Sequence, residues 1–182
     1  MAADAKGFRM SLAAICSRIE LILSDVDGVM TDGGIQLLDH GQQFVKFHIR
    51  DGMGVRLWRE AGKRFGIVTG RNLEAIRRRA ADLWLDIVRL GVDDKLPAVD
   101  ALAAEFGVTR EQVCYVGDDL LDLATIRAVG LGVAVADAVE DVRRAAKYVT
   151  SVPGGQAPVR EVVELILKNT GRWDEVIRRY GG

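Results

Sequence analysis

The sequence predicts an α/β fold: a doubly wound parallel sheet with a β-hairpin flap and no cap domain. Three observations carry that expectation. Short apolar runs alternate with helix-patterned segments almost throughout the chain. Three of those runs end in polar stations, where strands of an open parallel sheet face a ligand crevice. The chain also has 182 residues, 49% of them hydrophobic and 28% charged, which suits one domain, residues 1–182, with a substantial core and no repeat, linker or low-complexity segment.

Taken in order, Ile22–Ser24 is the first strand. Gly33-Gly34 then changes the texture. Ile35–Leu38 and Gln43–Ile49 flank Asp39-His40-Gly41-Gln42, and Asp and Gly between two strand-like runs predict a hairpin over about 34–49. Gly54–Ala61 is a short helix, Arg64–Val68 a strand and Asn72–Leu83 an amphipathic helix. Ile87–Arg89 is a short strand and Leu96–Phe106 a helix. Thr109 and Gln112 have capping-box spacing, but an apolar run follows at once, so they read as a turn before the strand Val113–Val116. Asp119–Ala128 is helix, Leu131–Val135 strand, Val139–Ala145 helix and Tyr148–Thr150 the last strand. Pro158 starts a helix that Val159–Asn169 continues, and a polar tail covers about 170–182. About forty residues separate Asp27 from Thr69, and the hairpin and one helix use most of them. With no room for a lid domain, the crevice is open to solvent or covered from outside this chain.

A net charge of −1 gives no electrostatic reason to expect nucleic acid or a membrane surface as a partner. The apolar patch Leu12–Cys16 is too short for a signal segment or a membrane span. Cys16 and Cys114 are far apart in sequence, with Cys114 in a strand-like run that suits a buried free thiol. No disulfide framework is present, which fits a reducing cytoplasm.

Asp25-x-Asp27-Gly28 places two carboxylates just beyond the first strand. One can attack phosphorus, and the other can give a proton to a leaving alcohol and later take one from water. A helix cap is the structural alternative; a calcium loop is not, since Val29 and Met30 stand where it needs a polar residue and glycine. Asp118, Asp119 and Asp122 concentrate negative charge at another strand end. Hard carboxylates with few His or Cys favour Mg²⁺, although Asp also suits a solvated helix N-terminus. Thr69 is either a phosphate hydrogen-bond donor or an N-cap. Lys95 either neutralises phosphate charge or is a surface lysine. Arg77, Arg78 and Arg79 point in different directions at helical spacing, so at most two can reach one site.

Asp25-x-Asp27-Gly-Val-x-Thr, Thr69, Lys95 and Gly117-Asp118-Asp119-x-x-Asp122 stand in the order of the haloacid dehalogenase superfamily, and the chain resembles its members. Phe47-His48-Ile49-Arg50-Asp51-Gly52-Met53-Gly54, Thr69-Gly70-Arg71, Asp94-Lys95, Val133–Ala138 and Gly154-Gly155 with Arg160-Glu161 narrow the resemblance. Over roughly residues 18–172 the chain is similar to the capless 3-deoxy-D-manno-octulosonate 8-phosphate phosphatase family. The resemblance implies Asp25 as nucleophile, Asp27 as acid/base, and catalytic roles for Thr69 and Lys95. It implies Mg²⁺ held by Asp25, Asp118 and the Asp27 carbonyl. It implies substrate contacts from Asp27, His48, Ile49, Arg50, Asp51, Gly52, Arg56, Arg71, Arg79 and Lys95. It further implies hydrolysis of a small sugar acid phosphate in lipopolysaccharide sugar biosynthesis, through an aspartyl-phosphate. The implied assembly is a cytoplasmic homotetramer whose hairpins pack together, one subunit helping to cover the next one's site.

Two positions depart from the family pattern: His48 stands where Asn is usual, and Gln156-Ala157-Pro158 replaces the usual residues after the paired glycines. A phosphatase for a nine-carbon sugar acid phosphate is the nearest rival; its relatives tend to carry an acidic residue where Arg71 stands. A non-catalytic oligomerisation domain, like those of sugar-nucleotide synthetases, is disfavoured by the intact Asp25 and Asp27. A dehalogenase would leave Asp27 without a task.

Overall fold

The computed structural model describes residues 10–182. Ser11 caps a short helix, α1 (Leu12–Cys16), accepting the Ala14 N–H at 3.2 Å. Next come β1 (Leu21–Ser24) and two hairpin strands, β2 (Gln36–Leu37) and β3 (Gln43–Phe44). α2 (Ile49–Glu60), β4 (Arg64–Thr69), α3 (Glu74–Asp82), β5 (Ile87–Leu90) and α4 (Lys95–Glu105) follow. After a single 3-10 turn, Arg110–Gln112, come β6 (Val113–Gly117), α5 (Leu120–Ala128), β7 (Leu131–Ala134), α6 (Glu140–Ala145) and β8 (Tyr148–Val149). α7 (Pro158–Asn169) and α8 (Trp173–Arg179) close the chain.

Among the described residues the main sheet has six parallel strands in the order β5-β4-β1-β6-β7-β8. All four residues of β1 are buried, as a central strand covered on both faces requires. α1, α2 and α7 pack together, and α4, α5 and α6 form a second group, so helices cover both faces. Full burial of Leu21, Ile22 and Leu23 contributes about 1.5–3 kcal/mol for each side chain. The chain winds from β1 through β4 to β5, then crosses to β6 and winds the other way. The switch point therefore lies at the carboxyl end of β1, between β4 and β6, where this topology places ligands.

The structure corrects the sequence expectations in three places, and at a fourth it adds a capping box to the turn expected before β6. The hairpin pairs only Gln36–Leu37 with Gln43–Phe44, not the whole span to Ile49. His48 ends the second arm because its Nδ1 accepts the Arg50 N–H at 3.2 Å and starts α2. α2 accordingly begins five residues before the predicted Gly54, with Gly52 and Gly54 inside it. Close approach explains both glycines: a Cβ on Gly54 would lie 2.8 Å from the Arg160 Cα, and one on Gly52 2.8 Å from an Arg79 nitrogen. Thr109 and Gln112 do form a capping box, with the Thr109 N–H donating to Gln112 Oε1 at 3.0 Å. The polar tail is helical over Trp173–Arg179, fastened by Arg172 to the Ala61 carbonyl at 2.8 Å.

Candidate active site

The turn after β1 carries Asp25 and Asp27 and is laced from within. The Thr31 hydroxyl oxygen accepts the N–H groups of Gly28 and Gly33, each at 3.3 Å, and the Thr31 N–H donates to the Val26 carbonyl at 3.0 Å. Gly28 adopts φ +78°, and a Cβ there would lie 2.0 Å from Asp118 Oδ2. Only glycine therefore lets this turn approach the end of β6.

Asp25 is 7% exposed. Its Oδ1 accepts the Val26 N–H at 2.7 Å, and its Oδ2 faces Lys95 Nζ at 2.7 Å. Lys95 is no surface lysine: it is buried at the start of α4 and also reaches Asp122 Oδ1 at 2.6 Å. Burial alone would lower the Lys95 pKa, but the carboxylates of Asp25 and Asp122 outweigh it and hold the ammonium charged. Burial raises Asp25 to about 6; Lys95 opposes that rise and Asp122 adds to it. Burial, then the charges of Asp25 and Asp122, push Asp118 up to about 7.

Asp25, Asp118 and Asp122 each bring a carboxylate oxygen within 4.8 Å of the others. The three are not equivalent. Asp122 Oδ1 accepts from Lys95 and, at 2.7 Å, from the Tyr115 hydroxyl. Its Oδ2 accepts the Asp118 N–H at 2.9 Å and the Asp119 N–H at 3.4 Å. Asp122 is thus saturated by the protein and anchors the cluster. Asp25 and Asp118 are the side chains that could hold a metal; burial is the main cause that disfavours their charged forms, and Lys95 offsets it only in part. Hard carboxylate oxygens of this kind suit a divalent cation such as Mg²⁺.

Asp27 Oδ1 accepts from Arg71 Nη1 at 2.9 Å, while Asp27 Oδ2 is buried without a partner. Arg71 Nη2 also donates to Gln43 of β3, linking the hairpin to the site. Thr69, at the end of β4, accepts the Arg71 N–H at 3.3 Å. It is not the N-cap of α3, a position held by Leu73.

Other expected contacts lie elsewhere. Ile49, Gly52, Arg56 and Arg79 line a separate cavity of about 600 Å³ between α2 and α3. Arg56 pairs with Glu60 at 2.8 Å, the Arg50 N–H is taken by His48, and Arg79 lies over the Phe47 ring and reaches the His48 carbonyl at 3.4 Å. Of the neighbouring arginines, Arg77 turns to Asn72 and Arg78 to Glu74. Asp51, expected among the substrate contacts, is 1% exposed, and its carboxylate accepts the Arg160 N–H of α7 at 3.0 Å. Sequence reasoning missed Tyr115, although a lone tyrosine in a fully buried strand needs a partner for its hydroxyl.

A model of haloacid dehalogenase-like hydrolases matches residues 81–154. The chain is 38% identical over 154 residues to the 3-deoxy-D-manno-octulosonate 8-phosphate phosphatase of Haemophilus influenzae, covering 85% of this chain and 86% of that one. It is 39% identical over 162 residues to the Escherichia coli protein of the same name, covering 89% and 86%. The structure of the phosphatase of that name from Moraxella catarrhalis, solved with magnesium, phosphate and a KDO molecule, matches with a TM-score of 0.90 at 35% identity, covering 92% of this chain and 97% of that chain. The cobalt-bound Haemophilus influenzae structure matches at 0.83 and 38% identity, covering 86% and 92%.

Proposed function

The chain belongs to the 3-deoxy-D-manno-octulosonate 8-phosphate phosphatase family of the haloacid dehalogenase-like hydrolases, and from that premise we propose how its residues divide the reaction. It is a Mg²⁺-dependent phosphoric monoester hydrolase acting on 3-deoxy-D-manno-octulosonate 8-phosphate. The observation that carries the assignment of roles is the junction of Asp25, Lys95 and Asp118 at the switch point, 2.7 Å separating the Lys95 and Asp25 side chains.

Asp25 attacks phosphorus, and the bond from phosphorus to the sugar oxygen breaks. The unpartnered Asp27 Oδ2 gives that oxygen its proton. Asp27 then takes a proton from water as the water oxygen attacks the aspartyl-phosphate, which restores the Asp25 carboxylate and releases phosphate. Lys95 fixes the Asp25 carboxylate and places a positive charge beside it. The Thr69 hydroxyl, free to donate, binds a phosphate oxygen. Mg²⁺ would be held by Asp25, Asp118 and the Asp27 carbonyl, where it would supply charge that screens the nucleophile from the anionic substrate.

We propose further that Arg71 and Arg79 meet the substrate carboxylate and that the chain acts as a cytoplasmic homotetramer in lipopolysaccharide sugar synthesis. The exposed apolar hairpin supports the assembly. In it, one subunit would help to cover a neighbouring subunit's site. Among the described residues no helix is long and apolar enough to cross a membrane. The test is purified protein with Mg²⁺ against a panel of sugar phosphates that includes the nine-carbon acid. The eight-carbon acid phosphate is expected to be hydrolysed best, and Asp25→Asn is expected to abolish turnover while leaving the circular dichroism unchanged. Near-normal turnover by that variant would exclude the covalent route.

A further inference from the structure

The N-terminus of α7 is capped by a residue from another helix. Its own N-cap position is Ala157, at φ +71°, with no side-chain cap, and Pro158 has no N–H to offer. The first helical amides needing partners are those of Val159 and Arg160. Asp51, in the first turn of α2, takes the Arg160 N–H at 3.0 Å and lies against that of Val159. A carboxylate at this end of a helix interacts favourably with the amide dipoles. The same carboxylate is sealed from solvent. Its Oδ2 and the nearby Arg79 Nε are both buried without partners, so Asp51 has no exposed oxygen with which to meet a substrate while it holds α7.

What α7 carries at its start gives this cap a consequence. The strap of residues 152–157 crosses the catalytic turn immediately before the helix. The Gly155 N–H donates to the Val29 carbonyl at 2.8 Å, and the Gly154 N–H donates to Asp137 Oδ1 at 2.9 Å. Gly154 is pressed so closely on the turn that a Cβ there would lie 2.0 Å from the Gly28 carbonyl oxygen. Gly28 in turn abuts Asp118, again at 2.0 Å for an added Cβ. From the start of α7 to Asp118 the backbone is packed without slack.

We propose that Asp51 is a positioning residue: by capping α7 it holds the 152–157 strap on Gly28 and Val29, and so keeps the turn bearing Asp25 and Asp27 seated against Asp118. The inference rests on the reading of Asp25 as nucleophile, and it differs from a direct substrate contact in what it predicts. p-Nitrophenyl phosphate has no sugar for Asp51 to touch. Asp51→Ala is expected to lower kcat about tenfold to a hundredfold on both p-nitrophenyl phosphate and the sugar acid phosphate, the loss typical of a misplaced reacting group, with KM little changed. Asp51→Asn keeps an accepting oxygen for α7 and is expected to recover most of kcat. A loss confined to the sugar acid phosphate and seen in KM would make Asp51 a substrate contact and overturn the proposal. So would an Asn variant as poor as the Ala variant, or no loss on either substrate.

Hydrogen–deuterium exchange supplies a readout independent of turnover. In Asp51→Ala, or in Asp51→Glu if the Ala variant does not fold, exchange is expected to accelerate together in residues 152–160 and 26–33. Acceleration in 152–160 alone would separate the strap from the catalytic turn and overturn the coupling. Because exchange does not depend on which carboxylate is the nucleophile, failure of the coupling and failure of the Asp25 assignment give different results.

Discussion

At the residue scale, two aspartates four positions apart, Asp118 and Asp122, have opposite duties. Asp122 is fully buried and satisfies Lys95, the Tyr115 hydroxyl and two backbone N–H groups. Removing it strands all four donors, and breaking such a buried pair costs about 3–5 kcal/mol. Asp118 instead carries a carboxylate whose charge is disfavoured by burial and by its neighbours. In metal-free protein, Asp122→Ala is therefore expected to lower Tm sharply, whereas Asp118→Asn is expected to leave Tm unchanged or raise it while removing Mg²⁺-dependent turnover. Thermal melts of both variants in chelator decide the matter; equal destabilisation would mean that Asp118 is an anchor too. The strand-end position of Asp25, Asp27, Asp118 and Thr69 was legible because apolar runs stop where they stand. The difference between Asp118 and Asp122 was not, because it depends on which donors surround each carboxylate, and Tyr115 and Lys95 come from β6 and α4, far apart in the chain. The cap that Asp51 provides was hidden for the same reason, though a helix beginning Ala-Pro with no side-chain N-cap signals that a partner must come from elsewhere.

At the element scale, the main-sheet strands were legible because buried parallel strands read as continuous apolar runs. The elements that deviate are those whose form depends on neighbours. α2 begins early because Gly52 and Gly54 make room for Arg79 and Arg160, so residues that read as breakers are contact points. α8 has no buried residue, so its polar sequence carries little periodic signal. The hairpin is the least self-sufficient element. Ile35, Leu37, Leu38 and Phe44 are 66%, 68%, 54% and 55% exposed, and an isolated two-stranded hairpin is marginal in water. If hairpins pack against one another, replacing Leu37 and Phe44 with Lys should reduce the mass measured by light scattering to that of a smaller species without loss of the far-ultraviolet spectrum. Because Gln43 of β3 holds Arg71, which holds Asp27, kcat/KM should fall as well. A monomeric parent protein at micromolar concentration would remove the hairpin interface from the account.

At the scale of the whole molecule, folding gathers carboxyl groups whose charged forms burial disfavours. Asp25 is raised to about 6, chiefly by burial, and Asp118 to about 7 by burial and then by Asp25 and Asp122. Asp51 is raised to about 7, again by burial. Each folded-state value lies above the ordinary carboxylate value of about 4. Between about pH 4 and 7 the folded state therefore binds more protons than the unfolded state, so these groups contribute stability that is present at low pH and lost as pH rises through their folded-state values. If Asp25 and Asp118 hold the cation as proposed, the dependence reverses there, because carboxylate ligands must be deprotonated to bind it. Metal-free protein is thus expected to lose stability from these groups between pH 5 and pH 8, while the increase in Tm on adding Mg²⁺ grows over the same interval. At a hundredfold excess over Kd the stabilisation is about 2.7 kcal/mol, or about 5–10 °C in Tm for a domain of this size. Melts at both pH values, with chelator and with Mg²⁺, measure the difference directly. Asp118→Asn should abolish the Mg²⁺ increment at pH 8, whereas Asp51→Asn, outside the group of Asp25, Asp118 and Asp122, should retain it. An increment equal at the two pH values would mean that the protons on Asp25 and Asp118 do not compete with the cation, and the assignment of those two side chains as its ligands would fall.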